Sequence, residues 1–316
     1  MSHIVFRVVE ITEEAADVRS LRMVRADGQA LKPYPAGSHI DVFGPTGVLR
    51  QYSLCMPPDD PESILIAVKR EQPSRGGSSA LHEVQVGDLL KVSKPRNLLA
   101  LAPEAEQHLL IAGGIGVTPL LSMAYELYRR GAEFQLHYFA RSRDQAAFAD
   151  LLEHRVEFPD RVHLHFGVGR AGQPPVFAGL AAAQTAATHV YVCGPEGFMT
   201  NVQSAFAPVL GAGQVHSEHF VATEADTSED RPFTVQLDTG EEFEIPADRS
   251  ILAVLEQNGI EVFKSCEEGI CGSCVSGVLE GTPEHRDNCL TEADRKSQMA
   301  LCVSRARSDK LVIELY

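Results

Sequence analysis

Cys266-Glu267-Glu268-Gly269-Ile270-Cys271-Gly272-Ser273-Cys274 is the stretch on which the architecture of this chain turns. Its cysteines follow C-x4-C-x2-C, and Cys302 comes after 27 intervening residues. This is the plant-type spacing for a [2Fe–2S] cluster, in which one loop offers three thiolates and a distant segment the fourth. Gly269 and Gly272 let the loop backbone approach inorganic sulfide, with N–H groups in reach of it. Four-cysteine zinc sites prefer two C-x2-C knuckles, and this chain has one. Cys289 competes for the fourth position, but it lies in Asp287-Asn288-Cys289-Leu290 just before a polar stretch. Cys302 sits in apolar Ala300-Leu301-Cys302-Val303, a setting that shields a cluster, and is preferred. The candidate metal ligands are therefore Cys266, Cys271, Cys274 and Cys302.

Around this loop, 233–237 and 242–245 read as a hairpin about Asp238-Thr239-Gly240. A helix is expected over 250–258, capped by Ser250 or Asp248 and stopped by Gly259, and a strand over 311–316. Upstream, 221–232 is polar and acidic with a proline, the composition of a linker. Before it, strands at 108–111, 134–139, 161–168, 189–192 and near 216–220 alternate with helices at 118–130, 145–157 and 197–209. That alternation implies a parallel α/β sheet. The first hundred residues carry short β segments at 4–9, 18–24, 39–43, 47–54, 63–69 and 88–94, divided by Pro- and Gly-containing breaks. They imply a small antiparallel β-barrel, with one helical turn at 78–84. The expected domains are 1–102, 103–224 and 230–316, within the two or three that 316 residues allow.

Hydrophobic residues at 44% and charged residues at 22% exclude a disordered or fibrous chain. The most apolar stretch, 108–125, is broken by Gly113, Gly114, Gly116 and Pro119, so it lacks the ~20 unbroken apolar residues of a membrane span. The opening MSHIVFRVVE has neither the basic nor the apolar region of a signal peptide, and a cytoplasmic location is expected. Seven cysteines without an export signal point to metal or catalytic roles rather than disulfides. A formal charge of −15 disfavours nucleic acid as a partner. Basic against acidic residues number 12 and 12 over 1–100, 7 and 14 over 101–229, and 9 and 17 over 230–316. The acidic excess thus lies in the last two thirds. No H-E-x-x-H or G-x-S-x-G pattern occurs, and His163-x-His165 reads as structural.

Cys266 to Cys274, then Leu301-Cys302-Val303-Ser304-Arg305-Ala306, then Leu311-Val312-Ile313-Glu314-Leu315 resemble the C-terminal ferredoxin domain of the phthalate dioxygenase reductase family. Its members run flavin barrel, NAD domain, ferredoxin domain, the order read above, so the resemblance spans essentially the whole chain. It implies a ferredoxin-like β-grasp fold for the last domain. Arg50-Gln51-Tyr52-Ser53-Leu54 resembles the R-x-Y-S-L motif of ferredoxin-reductase-type flavin barrels. There an arginine meets phosphate, an aromatic lies against the flavin, and a hydroxyl sits near its reactive nitrogen. Val68-Lys69 ends a strand, and Arg75-Gly76-Gly77-Ser78-Ser79 opens a short helix whose backbone N–H groups suit the phosphate of FMN. The resembled family is mostly FMN-dependent, its near relatives FAD-dependent, and no aromatic stands out to stack an adenine.

Gly113-Gly114-Ile115-Gly116-Val117-Thr118-Pro119 follows a strand and opens a helix, the anion site of an α/β nucleotide domain. The resemblance places Thr118 near the flavin ring, and Cys193 of Cys193-Gly194-Pro195 near the nicotinamide carbon that gives up hydride. Ser53, Thr118 and Cys193 are the candidate catalytic residues. Phe220 is the aromatic that family members set against the flavin. After the second nucleotide-domain strand, Asp144 suits a ribose hydroxyl and NADH, while Arg141 and Arg143 suit a 2′-phosphate. A nicotinamide gives two electrons together, an iron–sulfur cluster takes one at a time, and a flavin can do both. The resemblance implies an NADH-dependent reductase feeding a Rieske-type oxygenase that hydroxylates or demethylates its substrate. Competing readings are a flavin reductase with a structural zinc module, a reductase for a non-Rieske monooxygenase, and a non-enzymatic binding module.

Overall fold

The computed structural model describes residues 3–72, 76–211, 213–221 and 227–316. Two units divide the chain, Met1–Glu218 and His219–Tyr316, and the first holds two sheets. Strands β1 (Ile4–Ala15), β2 (Val18–Arg25), β3 (Ser38–Phe43), β4 (Leu49–Ser53) and β5 (Ile64–Lys69) precede helix α1 (Gly77–His82). Strands β6 (Leu89–Val92) and β7 (Arg96–Asn97) follow it. These strands pair antiparallel in the order β4-β3-β6-β1-β2-β5, with β7 on β3. Past the end of β4, Leu54 bridges to Ile66 of β5, which links the two ends of that order. Alternation sends Phe6, Val8, Leu21, Met23, Ile40, Val42, Ile66 and Val68 into one apolar core. The first strand runs six residues beyond its expected end. Its extension is held by cross-strand ion pairs, Glu10–Arg22 at 2.9 Å and Glu13–Arg19 at 2.6 Å, whose charges hide the strand pattern.

The second sheet is built by β8 (Gln107–Gly113), α2 (Val117–Arg129), β9 (Glu133–Ala140), α3 (Ala149–His154) and β10 (Val162–Phe166). It is completed by α4 (Gln173–Ala182), β11 (Thr188–Cys193), α5 (Glu196–Phe206) and β12 (Val215–Glu218). All its strands are parallel, in the order β10-β9-β8-β11-β12. The chain steps outward from β8 to one side and then returns to place β11 on the other. Sequence reasoning expected a helix over 145–157, yet α3 is half that length. Phe148 takes φ 61°, a left-handed conformation that cannot continue a helix, and a 3₁₀ turn fills 143–145. Helix α4 was not foreseen; it opens with prolines in its first turn, where no backbone N–H is needed.

The second unit comprises β13 (Phe233–Leu237), β14 (Glu242–Ile245), α6 (Ile251–Gln257), β15 (Val275–Glu280) and β16 (Pro283–Glu284). Strands β17 (Gln298–Ala300), β18 (Arg305–Ala306) and β19 (Lys310–Glu314) complete it. Its five-stranded sheet runs β14-β13-β19-β15-β17, parallel only between β13 and β19, and β16 pairs with β18 apart from it. Ser250 caps α6 by accepting the Ala253 N–H at 3.1 Å. A separate core of Val235, Leu237, Ile251, Leu255, Met299, Leu301, Leu311 and Ile313 lies beneath. Among the described residues no helix is long and apolar enough to cross a membrane.

Candidate functional site

The cysteine loop runs from the region after α6 into β15. Gly269 and Gly272 take φ of 71° and 69°, and a Cβ at Gly269 would lie 2.6 Å from Val303 Cγ2. The loop therefore needs glycine at 269 both for its turn and to pass the segment that carries Cys302. Cys271, Cys274 and Cys302 are buried and Cys266 is half-buried. Backbone N–H groups of Glu268 and Ser273 donate to the sulfurs of Cys266 and Cys271, each at 3.3 Å. The thiols perturb one another as two pairs, Cys266 with Cys271 and Cys274 with Cys302. In each pair one sulfur takes the charge. The Cys266 S–H pulls Cys271 down to about 5, and Cys302 likewise lowers Cys274. Among the described residues no three His, Cys, Asp or Glu side chains gather as a group that could hold a metal ion. Two pairs of thiols, rather than one foursome, fit a binuclear cluster that takes two thiolates on each iron. Cys289 has a different setting: its sulfur is 3.8 Å from a carboxylate oxygen of Asp287, and burial pushes its thiol up.

In the first unit, the sequence-marked nucleotide residues gather at the C-terminal ends of the parallel strands. The two glycine turns flank the switch between β8 and β11, where open α/β sheets bind ligands. A Cβ on Gly116 would come 2.1 Å from the Cys193 carbonyl oxygen, and one on Gly194 would lie 3.0 Å from Gly113 Cα. Gly113 in turn admits the Phe198 ring, 2.9 Å from where its Cβ would stand. The Gly113–Gly116 and Cys193-Gly194-Pro195 turns are thus packed backbone to backbone. Thr118, buried in the first turn of α2, donates to the Ile115 carbonyl at 2.9 Å, and Pro119 needs no N–H partner there. Burial raises the Cys193 thiol well above its ordinary range, with the Glu218 carboxylate adding to the shift, so this sulfur stays neutral. Arg141 and Asp144 are exposed just past β9, while Arg143 is held by Glu153 at 2.5 Å.

The flavin candidates separate along the antiparallel sheet. Register sets Arg50 beside Val42 and Tyr52 beside Ile40, and Gln51 beside Asp41 and Ser53 beside His39 on the other face. Arg50 lies against α1, since a Cβ on Gly77 would meet its Cγ at 2.6 Å. Ser78 accepts the Glu71 N–H at 3.2 Å, Ser79 is half-buried next to it, and Val68 and Lys69 end β5. Lys69 is paired with Glu71 at 2.9 Å. Arg50 and Gly77-Ser78-Ser79 therefore form one end of the candidate flavin region, while Ser53, with His39, lies on the opposite face. Tyr52 packs on the core, and burial raises its hydroxyl well above the usual range. Gln51 donates to Asp41 at 3.2 Å. Arg75 lies outside the described residues, and Phe220 is half-buried two residues past β12.

Residues 235–307 match the family of 2Fe-2S iron-sulfur cluster binding domains. Vanillate O-demethylase oxidoreductase of Pseudomonas sp. (strain HR199 / DSM 7063) is 44% identical over 306 residues, 95% of this chain and 96% of that protein. Phthalate dioxygenase reductase of Burkholderia cepacia is 40% identical over 95% of this chain and 94% of its own length. The chain belongs to the phthalate dioxygenase reductase family. A solved phthalate dioxygenase reductase, described as a modular structure for electron transfer from pyridine nucleotides to [2Fe-2S], superposes with a TM-score of 0.72. It is 37% identical, and the match covers 99% of this chain and 98% of that one. As a member of the phthalate dioxygenase reductase family, the protein is an oxidoreductase with a [2Fe–2S] domain at its C-terminal end.

Two residues of the site went unread in the sequence. His39, beside Ser53 in register, and Glu218, beside Cys193, are buried with His39 Nδ1 3.6 Å from Glu218 Oε1. A histidine within an apolar strand, and a carboxylate closing a parallel strand, were the signals available.

Proposed function

We propose that the protein is an NADH-dependent reductase that passes electrons through a flavin to a [2Fe–2S] cluster and on to a Rieske-type oxygenase component. FMN fits the flavin role, since the phosphate end is formed by Arg50 and the short α1 turn. The observation that carries the proposal is the joint presence of two paired-thiol sets and a packed double-glycine switch point in one chain. When bound, the three carriers supply the conversion of a two-electron donor into one-electron output. The chain's residues bind and orient them. Gly113, Gly114 and Gly116 keep side chains out of the nucleotide crevice, and Thr118 and Cys193 bound its nicotinamide end. Cys193 stays a neutral, compact thiol that excludes water without competing as a nucleophile. Ser53 offers a hydroxyl at the ring end. Cys266, Cys271, Cys274 and Cys302 hold the cluster in a largely buried pocket.

The separate sheets support a reading in three modules, 1–102, 103–224 and 230–316, and the Leu54–Ile66 bridge supports a barrel for the first, with a β-grasp fold for the last. NADH is the preferred donor, supported by Arg143 being committed to Glu153 while Asp144 stays exposed. An absorption spectrum of the purified protein before and after NADH tests the reading. Flavin and [2Fe–2S] bands that both bleach are expected, with kcat/KM favouring NADH over NADPH. A protein that shows flavin bands alone, or that cannot reduce a Rieske-type oxygenase, would refute it.

A further inference from the structure

Asp287 has a fully covered side chain, yet it is none of the four cluster ligands and the mechanism above makes no use of it. Its segment lies directly on the cysteine loop. The Asn288 N–H donates to the Gly269 carbonyl at 2.8 Å, and a Cβ on Gly269 would stand 3.2 Å from Asp287 Cα. The carboxylate also reaches the segment of the fourth cysteine, where Ser304 Oγ, two residues past Cys302, donates to Oδ1 at 3.3 Å. Oδ2 accepts the Leu290 N–H at 3.0 Å, with the Cys289 sulfur 3.8 Å away. Burial first, then the charges of Asp287, Cys274 and Cys271, push the Cys289 thiol up. That neutral sulfur is therefore within electrostatic reach of both the carboxylate and two cluster thiols. On its remaining sides Asp287 has His285 Nδ1 3.5 Å from Oδ1 and Arg295 Nη2 3.6 Å from Oδ2. His285 Nδ1 makes no hydrogen bond among the described residues, and its Nε2 faces the Arg295 carbonyl at 3.1 Å. The Arg295 side chain is 37% exposed, so solvent screens its charge, while the carboxylate it faces is sealed from solvent.

We propose that the Asp287 carboxylate tunes the reduction potential of the [2Fe–2S] cluster, holding it lower than a neutral side chain in the same place would. The inference rests on the electron-transfer reading of this domain. Each electron the cluster accepts adds one negative charge to a largely buried pocket. A second buried negative charge, packed against both cysteine-bearing segments, opposes that gain, because their repulsion is poorly screened there. Net charge and solvent exposure are among the levers by which a protein sets such potentials. A lower potential makes the reduced cluster a better donor to the next carrier. Asp287 thus acts on the onward step without ligating iron.

The test is a dye-mediated reductive titration of the full-length, cofactor-loaded protein, with the reduced cluster read by electron paramagnetic resonance and the flavin by absorbance. Asp287→Asn keeps an oxygen for the Leu290 N–H and removes the charge. It should favour cluster reduction by roughly tenfold or more, a rise of at least about 59 mV for a one-electron couple. Arg295→Gln removes the screened cation and should shift the same equilibrium the other way, by roughly 2- to 5-fold. The flavin potential should stay in place in both variants. Opposite shifts separate charge from a loosened pocket, since added solvent at the cluster would move both variants in one direction. An Asp287→Asn protein with an intact cluster signal and an unchanged or lowered potential overturns the proposal. So does an Arg295→Gln protein whose potential is unchanged or raised, and that exposed substitution decides the matter if Asp287→Asn fails to assemble a cluster. Wild-type protein with no [2Fe–2S] resonance on reduction would overturn the electron-transfer reading itself, which separates the two failures.

Discussion

The nucleotide sheet carries histidines whose burial makes an acid-sensitivity prediction with a worked magnitude. His137 on β9 is stacked between His163 and His165, with ring centroids at 4.5 and 5.3 Å, and its Nδ1 is 3.0 Å from His165 Nε2. Burial, with the two neighbouring imidazoles behind it, lowers its pKa from 6.5 to about 3. A histidine depressed in the folded state leaves the unfolded chain binding the extra proton at intermediate pH. The stability is therefore complete above pH 6.5 and drains away as pH falls, until the folded form also protonates near 3. At pH 5 the loss at this one position is about 2 kcal/mol, from 1.36 kcal/mol per unit over the interval down from 6.5. For a unit of this size that corresponds to roughly 4–8 °C in Tm. His165, His108 and His216 are lowered by burial too and add in the same sense. His137→Phe keeps the stack and removes the titration. Thermal unfolding followed by circular dichroism at pH 7.5 and 5.0 should show the variant losing less Tm than wild type by that amount. Equal losses in the two proteins would refute the assignment of the acid sensitivity to His137.

Gly116→Ala should cost about 3 kcal/mol and abolish tight nucleotide binding, because its Cβ would meet the Cys193 backbone at 2.1 Å. Gly114→Ala, with nothing within 4 Å but φ at 56°, should cost only about 1–2 kcal/mol; thermal unfolding and nucleotide titration compare the two. Cys302→Ser should lose the [2Fe–2S] absorption and circular dichroism, while Cys289→Ser should keep them, since only the former is paired with another cluster thiol. A bleached Cys289→Ser protein would move the fourth ligand. Ending the chain after Ala225 should leave the first unit folded and able to reduce ferricyanide with NADH, because it has its own cores. Delivery to an oxygenase should fall sharply; undiminished delivery would mean the cluster is off the path.

What the sequence disclosed depended on whether the signal was local. The β8–glycine turn–α2 unit was legible because the hydrophobic period switches from two to 3.6 at Gly113–Pro119, with the turn chemistry between them. Ser250 could be read as a cap from its place before an apolar run, and Ala253 N–H donates to it. The short strands β15 to β18 and helix α4 escaped. The two residues each of β16 and β18 and the three of β17 show no period, β15 includes Ser276 and Gly277, and the double proline that opens α4 is also a loop signature.

The site divides along the same line. The cysteine spacing singles out four candidate thiols, yet the approach of Cys302 to Cys274 and the passage of Val303 over Gly269 bring together segments more than twenty-five residues apart. Glu218 shows the limit most sharply. Its neighbours in sequence, Ser217 and His219, say nothing about it; the parallel register that sets it beside Cys193, and the approach of β3 that brings His39, give it a place. A strand's terminal residue acquires chemistry only from the strand beside it. For this fold, the C-terminal edge of β8, β11 and β12 is therefore where unread side chains are to be sought, since it joins backbone turns with short-range signatures to single residues that have none.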